Sequence, residues 1–216
     1  MLDNYRASLD WWLDPLTRLF RKVHPDVFTW LSLVFAVAGG ILFWKSSDTA
    51  TGLWILLAAW VCVGLNSILD LLDGKVAKIS GKASPRGDFL DHAVDRASDA
   101  AFILGISFSP WATVGVGLAA MTATLLVSYM GTQAQAVGLK RHYGGLLGRA
   151  DRMVLLLAMP LAQWIVSFFQ LPHPWTAWTE SLLALLLWYF AIVGGLTLVQ
   201  RFVAILRSFG PAGKLR

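Results

Sequence analysis

Long apolar runs separated by short polar breaks dominate the chain. A helix that crosses a bilayer needs roughly 20 apolar residues. Six stretches approach that length, at about 27–44, 53–72, 93–108, 111–139, 153–169 and 182–206. The third is short and carries Asp95, Arg96 and Asp99 near its start. The breaks are turn-like: 45–51 is polar, Ser109-Pro110 is a stop, and Leu171-Pro172-His173-Pro174 cannot continue a helix. The beginning of the chain has a different pattern. Leu9, Trp12, Leu13, Leu16, Leu19 and Phe20 recur at helical spacing, with Arg6, Asp10, Asp14, Arg18 and Arg21 on the remaining circumference. This predicts an amphipathic helix over about 2–22 lying in the plane of the interface. A signal peptide is not expected, because there is no continuous apolar core or small-residue cleavage site. The pattern therefore predicts an all-α integral membrane protein, with six transmembrane helices plus an N-terminal interfacial helix, forming a single domain over 1–216.

Composition supports the same class. Hydrophobic residues make up 56% of the chain and charged residues 14%, against about 25% charged in a typical soluble domain. Disorder is excluded, since it requires low hydrophobicity and high charge. Eleven Trp, twelve Phe and four Tyr suit two membrane interfaces. Cys62 is the single cysteine, so no disulfide framework exists. With six spans, 17 of the 18 Lys and Arg fall in or next to loops on the side of the termini, and only Lys45 falls opposite. Positive charge marks the cytoplasmic side. Both termini are thus expected inside the cell, in a multi-pass plasma-membrane protein. The net charge of +5 is then a topology signal, and no nucleic-acid partner is expected.

Of the thirteen acidic residues, six lie between Asp70 and Asp99. Asp70 and Asp73 share a helix face at the cytoplasmic end of the second span, as do Asp91 and Asp95 at the start of the third. Asp88 and Asp99 suit simple pairing with nearby Lys75, Lys78, Arg86 or Arg96 equally well. Asp70, Asp73, Asp91 and Asp95 together do not, because carboxylates at membrane depth are costly and normally face a polar cavity. Two helices each offering two carboxylates form an oxygen-rich cage for hard divalent cations. Two such ions about 4 Å apart clamp a phosphoryl group between attacking and leaving oxygens. Gly74 and Ala77, nearly without side chains, leave room for a phosphate or sugar. A divalent-cation transporter is the competing reading, but transporters place such groups near the midplane between structural repeats. No repeat is visible here. His24, His92, His142 and His173 show no mutual spacing suited to a zinc site.

The segment Asp70-x2-Asp73-Gly74-x2-Ala77-Lys78-x8-Gly87-x3-Asp91-x3-Asp95 resembles the signature of the CDP-alcohol phosphatidyltransferases, matching seven of its eight fixed positions. The departure is Lys78, where the family usually has Arg. Lysine keeps the charge and loses the bidentate fork. The resemblance implies a six-helix membrane enzyme, usually a homodimer, with a polar cavity open to the cytoplasm. In such enzymes an alcohol attacks the lipid-side phosphate of a CDP-linked lipid and CMP leaves. Carried over, Asp70, Asp73 and Asp91 would bind metal, with two Mg2+ ions expected and Mn2+ as an alternative. Asp95 would touch metal and take the proton from the acceptor hydroxyl.

The acceptor is implied by weaker matches. Pro25-Asp26-Val27-Phe28-Thr29 suits a helix start and also resembles a nucleotide-contacting segment of the phosphatidylinositol-phosphate synthases. By the same resemblance Asp26, Val27, Phe28, Thr29, Gly74, Lys78 and Ser84 would bind the CDP-lipid. Arg149 and Arg152 share a face at the start of the fifth span, and Arg201 lies inside the apolar sixth. Guanidiniums offer paired planar donors to phosphate. The segment resembles the Arg-x-x-Arg element of inositol-phosphate-using members, including the archaetidylinositol-phosphate synthases. Basic residues expected after Ser128-Tyr129 are missing, since the chain reads Gly131-Thr132-Gln133-Ala134-Gln135, unless Lys140 or Arg141 substitutes. Inositol phosphate is therefore the expected acceptor and glycerol 3-phosphate the alternative. The donor is expected to be CDP-archaeol or CDP-diacylglycerol.

Overall fold

The computed structural model describes residues 15–17, 19–139, 144–172 and 181–209. Most of the expected interfacial helix over 2–22 lies outside these residues. Six helices are described: α1 (Pro25–Lys45), α2 (Ala50–Ile79), α3 (Pro85–Ser107), α4 (Val114–Ala136), α5 (Arg149–Phe168) and α6 (Leu182–Arg207). No strand occurs among the described residues. Five of the helices are long and apolar enough to cross a membrane, and α3 is the exception. Its first two-thirds carry Asp88, Asp91, Asp95, Arg96 and Asp99, which lower its hydropathy. The chain is thus a multi-pass membrane protein.

The helix boundaries follow local chemistry more closely than the apolar runs do. Thr49 caps α2 by accepting from the Gly52 amide at 3.1 Å, and Ser84 caps α3 by accepting from Gly87 at 3.2 Å. Such side-chain caps satisfy amides that have no partner within the helix. At the start of α5 the Asp151 carboxylate accepts from the Gly148 amide at 2.9 Å, so the helix begins at Arg149, four residues before the apolar run. α2 continues seven residues past Leu72, because Leu72 and Val76 pack beneath Phe28, Leu16 and Phe20. Asp70, Asp73, Gly74 and Lys78 consequently lie on one unbroken helix. α4 is shorter than its apolar run because Trp111 is held in the preceding turn, where its indole N–H donates to Ser46 Oγ at 2.8 Å.

α1 packs against both α2 and α3, α4 packs along α6, and α5 bridges α2 and α6. The α1–α3 seam has almost no thickness. A Cβ on Gly40 would run into the Ala101 carbonyl, and one on Gly105 would run into the Gly40 carbonyl. Small residues allow helix backbones in a membrane to meet this closely. In contrast, a Cβ on Gly195 would meet nothing within 4 Å. We expect Gly105→Leu to cost at least the ~1–3 kcal/mol of an overpacked core. Its thermal midpoint in detergent should fall clearly below that of Gly195→Leu, and equal midpoints would show that the seam is not tight.

Candidate metal and phosphate site

The candidate residues converge where α1, α2, α3 and α5 meet. Asp70 and Asp73, three residues apart on α2, face Asp91 on α3, and carboxylate oxygens of all three lie within 4.8 Å of one another. Asp91, His92 and Asp95 form a second overlapping group of the same compactness. These sets supply mainly oxygen, which suits hard cations. Asp73 gives a direct test of whether a cation fits. It is 5% exposed, and among the described residues it has no ion pair. Its Oδ2 accepts from Thr29 Oγ1 of α1 at 2.8 Å. A buried carboxylate without a positive partner, facing two more carboxylates, is electrostatically incomplete. A divalent cation would complete it.

Fixed positive groups surround the remaining acids. Arg149, at the first position of α5, donates to Asp70 Oδ1 at 2.5 Å and pairs with Asp95. Arg96 reaches Asp95 Oδ2 at 3.4 Å and lies 3.8 Å from Asp99. One turn along α5, Arg152 donates to Asp99 Oδ2 at 2.7 Å, with both residues buried. The Arg152 Nε is also buried and has no hydrogen-bond partner among the described residues. That donor is available to a bound anion.

Other expected residues are dispersed around this centre. Asp26 accepts from Arg86 at 2.8 Å, which ties the start of α1 to the start of α3. Val27 is exposed, whereas Phe28 packs with Leu72 and Val76. Thr29 is spent on Asp73, and Ser84 on capping α3. Lys78 is exposed, one turn beyond Gly74. A Cβ on Gly74 would meet nothing within 4 Å, so the backbone faces open space beside Asp73. Arg201 is 7% exposed, and donates to the Gly144 carbonyl at 2.8 Å and the Val127 carbonyl at 2.7 Å. It therefore braces the segment that leads into α5. Lys140 and Arg141 lie outside the described residues.

Two participants were not anticipated from the chain alone. Although the histidines share no zinc-like spacing with one another, His92 lies 3.8 Å from both Asp91 and Asp95, and 3.4 Å from Asp88. Its adjacency to Asp91 was the available signal. Asp99 proves to be the partner of Arg152 from another helix, and no local spacing encodes such a contact.

Comparisons with known proteins agree with this geometry. The phosphatidylinositol phosphate synthase of Cutibacterium acnes is 29% identical, covering 96% of this chain and 99% of its own. The archaetidylinositol phosphate synthase of Methanothermobacter thermautotrophicus is 28% identical over 95% of this chain and 94% of its own. Among solved structures, phosphatidylinositol phosphate synthase of Mycobacterium tuberculosis with CDP-DAG bound superposes with a TM-score of 0.70 at 25% identity, over 88% of this chain and 92% of that one. The same enzyme in complex with manganese and citrate gives 0.70 at 26% identity, over 89% and 88%. The transporter reading loses its support here. The model of the CDP-alcohol phosphatidyltransferase family matches residues 22–193, so the chain belongs to that family of membrane transferases of phospholipid biosynthesis.

Proposed function

We propose that the protein transfers the phosphatidyl-type group of a CDP-linked lipid, CDP-diacylglycerol or CDP-archaeol, to inositol phosphate, releasing CMP. The observation that carries this reading is the meeting of two charge systems. Asp70, Asp73 and Asp91 crowd together on α2 and α3, and from α5 Arg149 reaches Asp70 while Arg152 reaches Asp99 one turn on. Asp70, Asp73, Asp91 and Asp95 would hold two divalent cations, Mg2+ or Mn2+, whose charge neutralises the pyrophosphate. Asp26, Val27, Phe28 and Thr29 at the start of α1, with Gly74, Lys78 and Ser84, bind the CDP-lipid. The open space at Gly74 suits close approach of a phosphate to the backbone.

Arg149, Arg152, Arg201 and Lys140 hold the phosphate of the acceptor. Asp95 accepts the proton of its hydroxyl, whose oxygen forms a new bond to the lipid-side phosphorus. The bond from that phosphorus to the CMP oxygen breaks, and CMP departs with the electron pair. Arg149 pairs with the Asp95 carboxylate and so places it beside the acceptor pocket. The names of the relatives support inositol phosphate as acceptor. The uncharged segment Gly131–Gln135 keeps glycerol 3-phosphate as the second reading. We further propose a single domain with six spans, α3 included, an interfacial helix over about 2–22, and cytoplasmic termini and active site in the plasma membrane. The enzyme works as a homodimer.

Turnover, followed as CMP release from CDP-lipid, should require Mg2+ or Mn2+ and cease with EDTA. It should fall at least ~100-fold in Asp73→Ala and Asp91→Ala. Full activity in EDTA would eliminate the metal-assisted mechanism. Asp95→Asn keeps the side-chain shape and removes the proton acceptor, so turnover should drop ~10²–10⁴-fold while CDP-lipid still binds. Near-normal turnover would move the base elsewhere. For the acceptor, Arg152→Lys keeps the charge that neutralises buried Asp99 and loses the fork. Since a charged hydrogen bond is worth ~1.5–3 kcal/mol, the KM for inositol phosphate should rise roughly 10-fold or more, with little change for CDP-lipid. A panel of inositol phosphate, glycerol 3-phosphate, free inositol and serine decides the acceptor. Reaction with glycerol 3-phosphate alone overturns the inositol assignment, and equal use of neutral alcohols overturns the phosphate pocket.

A further inference from the structure

Beneath the carboxylates lies a buried polar layer that the proposed chemistry does not use. Asn66 sits in the middle of apolar α2, four residues before Asp70 and seven before Asp73, and therefore on the same helix face. It is 3% exposed. Its amide nitrogen donates to the Ser32 carbonyl of α1 at 2.9 Å and to Ser98 Oγ of α3 at 3.3 Å. An amide has two N–H groups, so each helix receives one. Ser32 in turn donates to the Thr29 carbonyl at 2.8 Å, and Thr29 donates to Asp73. Ser98 lies three residues after Asp95 and seven after Asp91, on the face that carries both.

The three helices that carry the acidic cluster are thus joined one turn below it by a single side chain. Other contacts at this depth are largely apolar, and apolar contact is non-directional. It constrains the rotation and axial register of α2 against α3 less sharply than a hydrogen bond of fixed geometry. A cation cage is sensitive to both, because metal–oxygen distances of 2.0–2.6 Å leave little tolerance for misplaced ligands. The amide supplies the missing direction, because its planar geometry sets where Ser32 and Ser98 must stand relative to Asp70.

We infer that Asn66 is a positioning residue for the metal site, locking α1, α2 and α3 in the register that brings Asp70 and Asp73 against Asp91 and Asp95. The inference rests on the metal reading of the carboxylate cluster. The test uses the full-length protein in nanodiscs, with Mn2+ binding followed by calorimetry or electron paramagnetic resonance and thermal midpoints measured in parallel. Asn66→Leu has nearly the same volume and no donors. It should weaken Mn2+ binding ~10-fold, as loss of outer-shell metal partners commonly does, with the thermal midpoint little changed. The turnover number should fall while the KM for inositol phosphate stays constant. Ser98→Ala should weaken Mn2+ binding by a smaller factor, and Ser98→Thr, which retains the hydroxyl, should restore it. If Asn66→Leu does not fold, the Ser98 pair decides alone. Wild-type Mn2+ affinity in Asn66→Leu, or in Ser98→Ala when only that pair can be read, overturns the inference. So does a fall in thermal midpoint without a change in affinity. If the wild-type protein itself binds no Mn2+, the metal reading falls and this role falls with it.

Discussion

The cost of gathering carboxylates where helices leave a membrane governs this structure. Two like charges about 4 Å apart repel by about 4 kcal/mol at the effective dielectric of a protein surface. Here oxygens of Asp70, Asp73 and Asp91 lie within 4.8 Å of one another, with Asp95 and Asp99 close behind. Such a cluster persists only if something offsets the repulsion. The protein supplies part of the offset through Arg149, Arg96, Arg152 and the Thr29 hydroxyl. Asp73, which has a hydroxyl donor and no described cation, marks where that supply stops. In the proposed enzyme the bound cations would supply the rest.

That requirement shapes the helices. α3 sacrifices hydropathy to carry its acids, and it can do so because α1 covers it through a seam where Gly40 and Gly105 leave no side-chain gap. α5 begins at Arg149 because Asp151 caps it there, and this places both arginines at the cluster. The approach to α5 is held from α6, where Thr197 Oγ1 accepts from the Leu147 amide at 3.0 Å and Arg201 grips Gly144. Besides any direct contact of Arg201 with the acceptor, α6 thus fixes through backbone where α5 starts. A buried arginine whose donors meet carbonyls avoids the penalty of an unsatisfied charge in an apolar span.

Much of this was legible in the sequence, for identifiable reasons. Apolar runs reported the helices because the bilayer selects on length and hydropathy alone, and the spacing of Asp70, Asp73, Asp91 and Asp95 reported shared faces because helical periodicity is local. Boundaries were less legible. The extension of α2 to Ile79 depends on Phe28 packing over Leu72 and Val76, a contact 44 residues distant from Leu72. Pairings between helices were invisible for the same reason. Nothing near Asp99 announces Arg152, and nothing near Asn66 announces Ser32 and Ser98. Phe28 matched a family motif while its side chain went to the core, a reminder that a motif position can act through backbone placement.

Donor and acceptor functions divide along the same physical line. The acids lie on α2 and α3, which α1 binds into one tightly packed unit, whereas the arginines lie on α5, which packs against α2 and α6, and on α6, which packs along α4. Polar side chains join the two sets at and below the site. Arg149 to Asp70, Arg152 to Asp99 and the Trp60 indole to the Leu157 carbonyl at 2.8 Å are among them. In the proposed reaction the phosphorus under attack belongs to one set and the attacking oxygen to the other. The distance between them then depends on how α5 is held against α2. Arg149 carries a double load, since it neutralises the carboxylate assigned as base and belongs to the pocket assigned to the acceptor phosphate. A change there alters proton transfer and acceptor placement together, whereas a change at Arg152, whose partner is Asp99, separates the two.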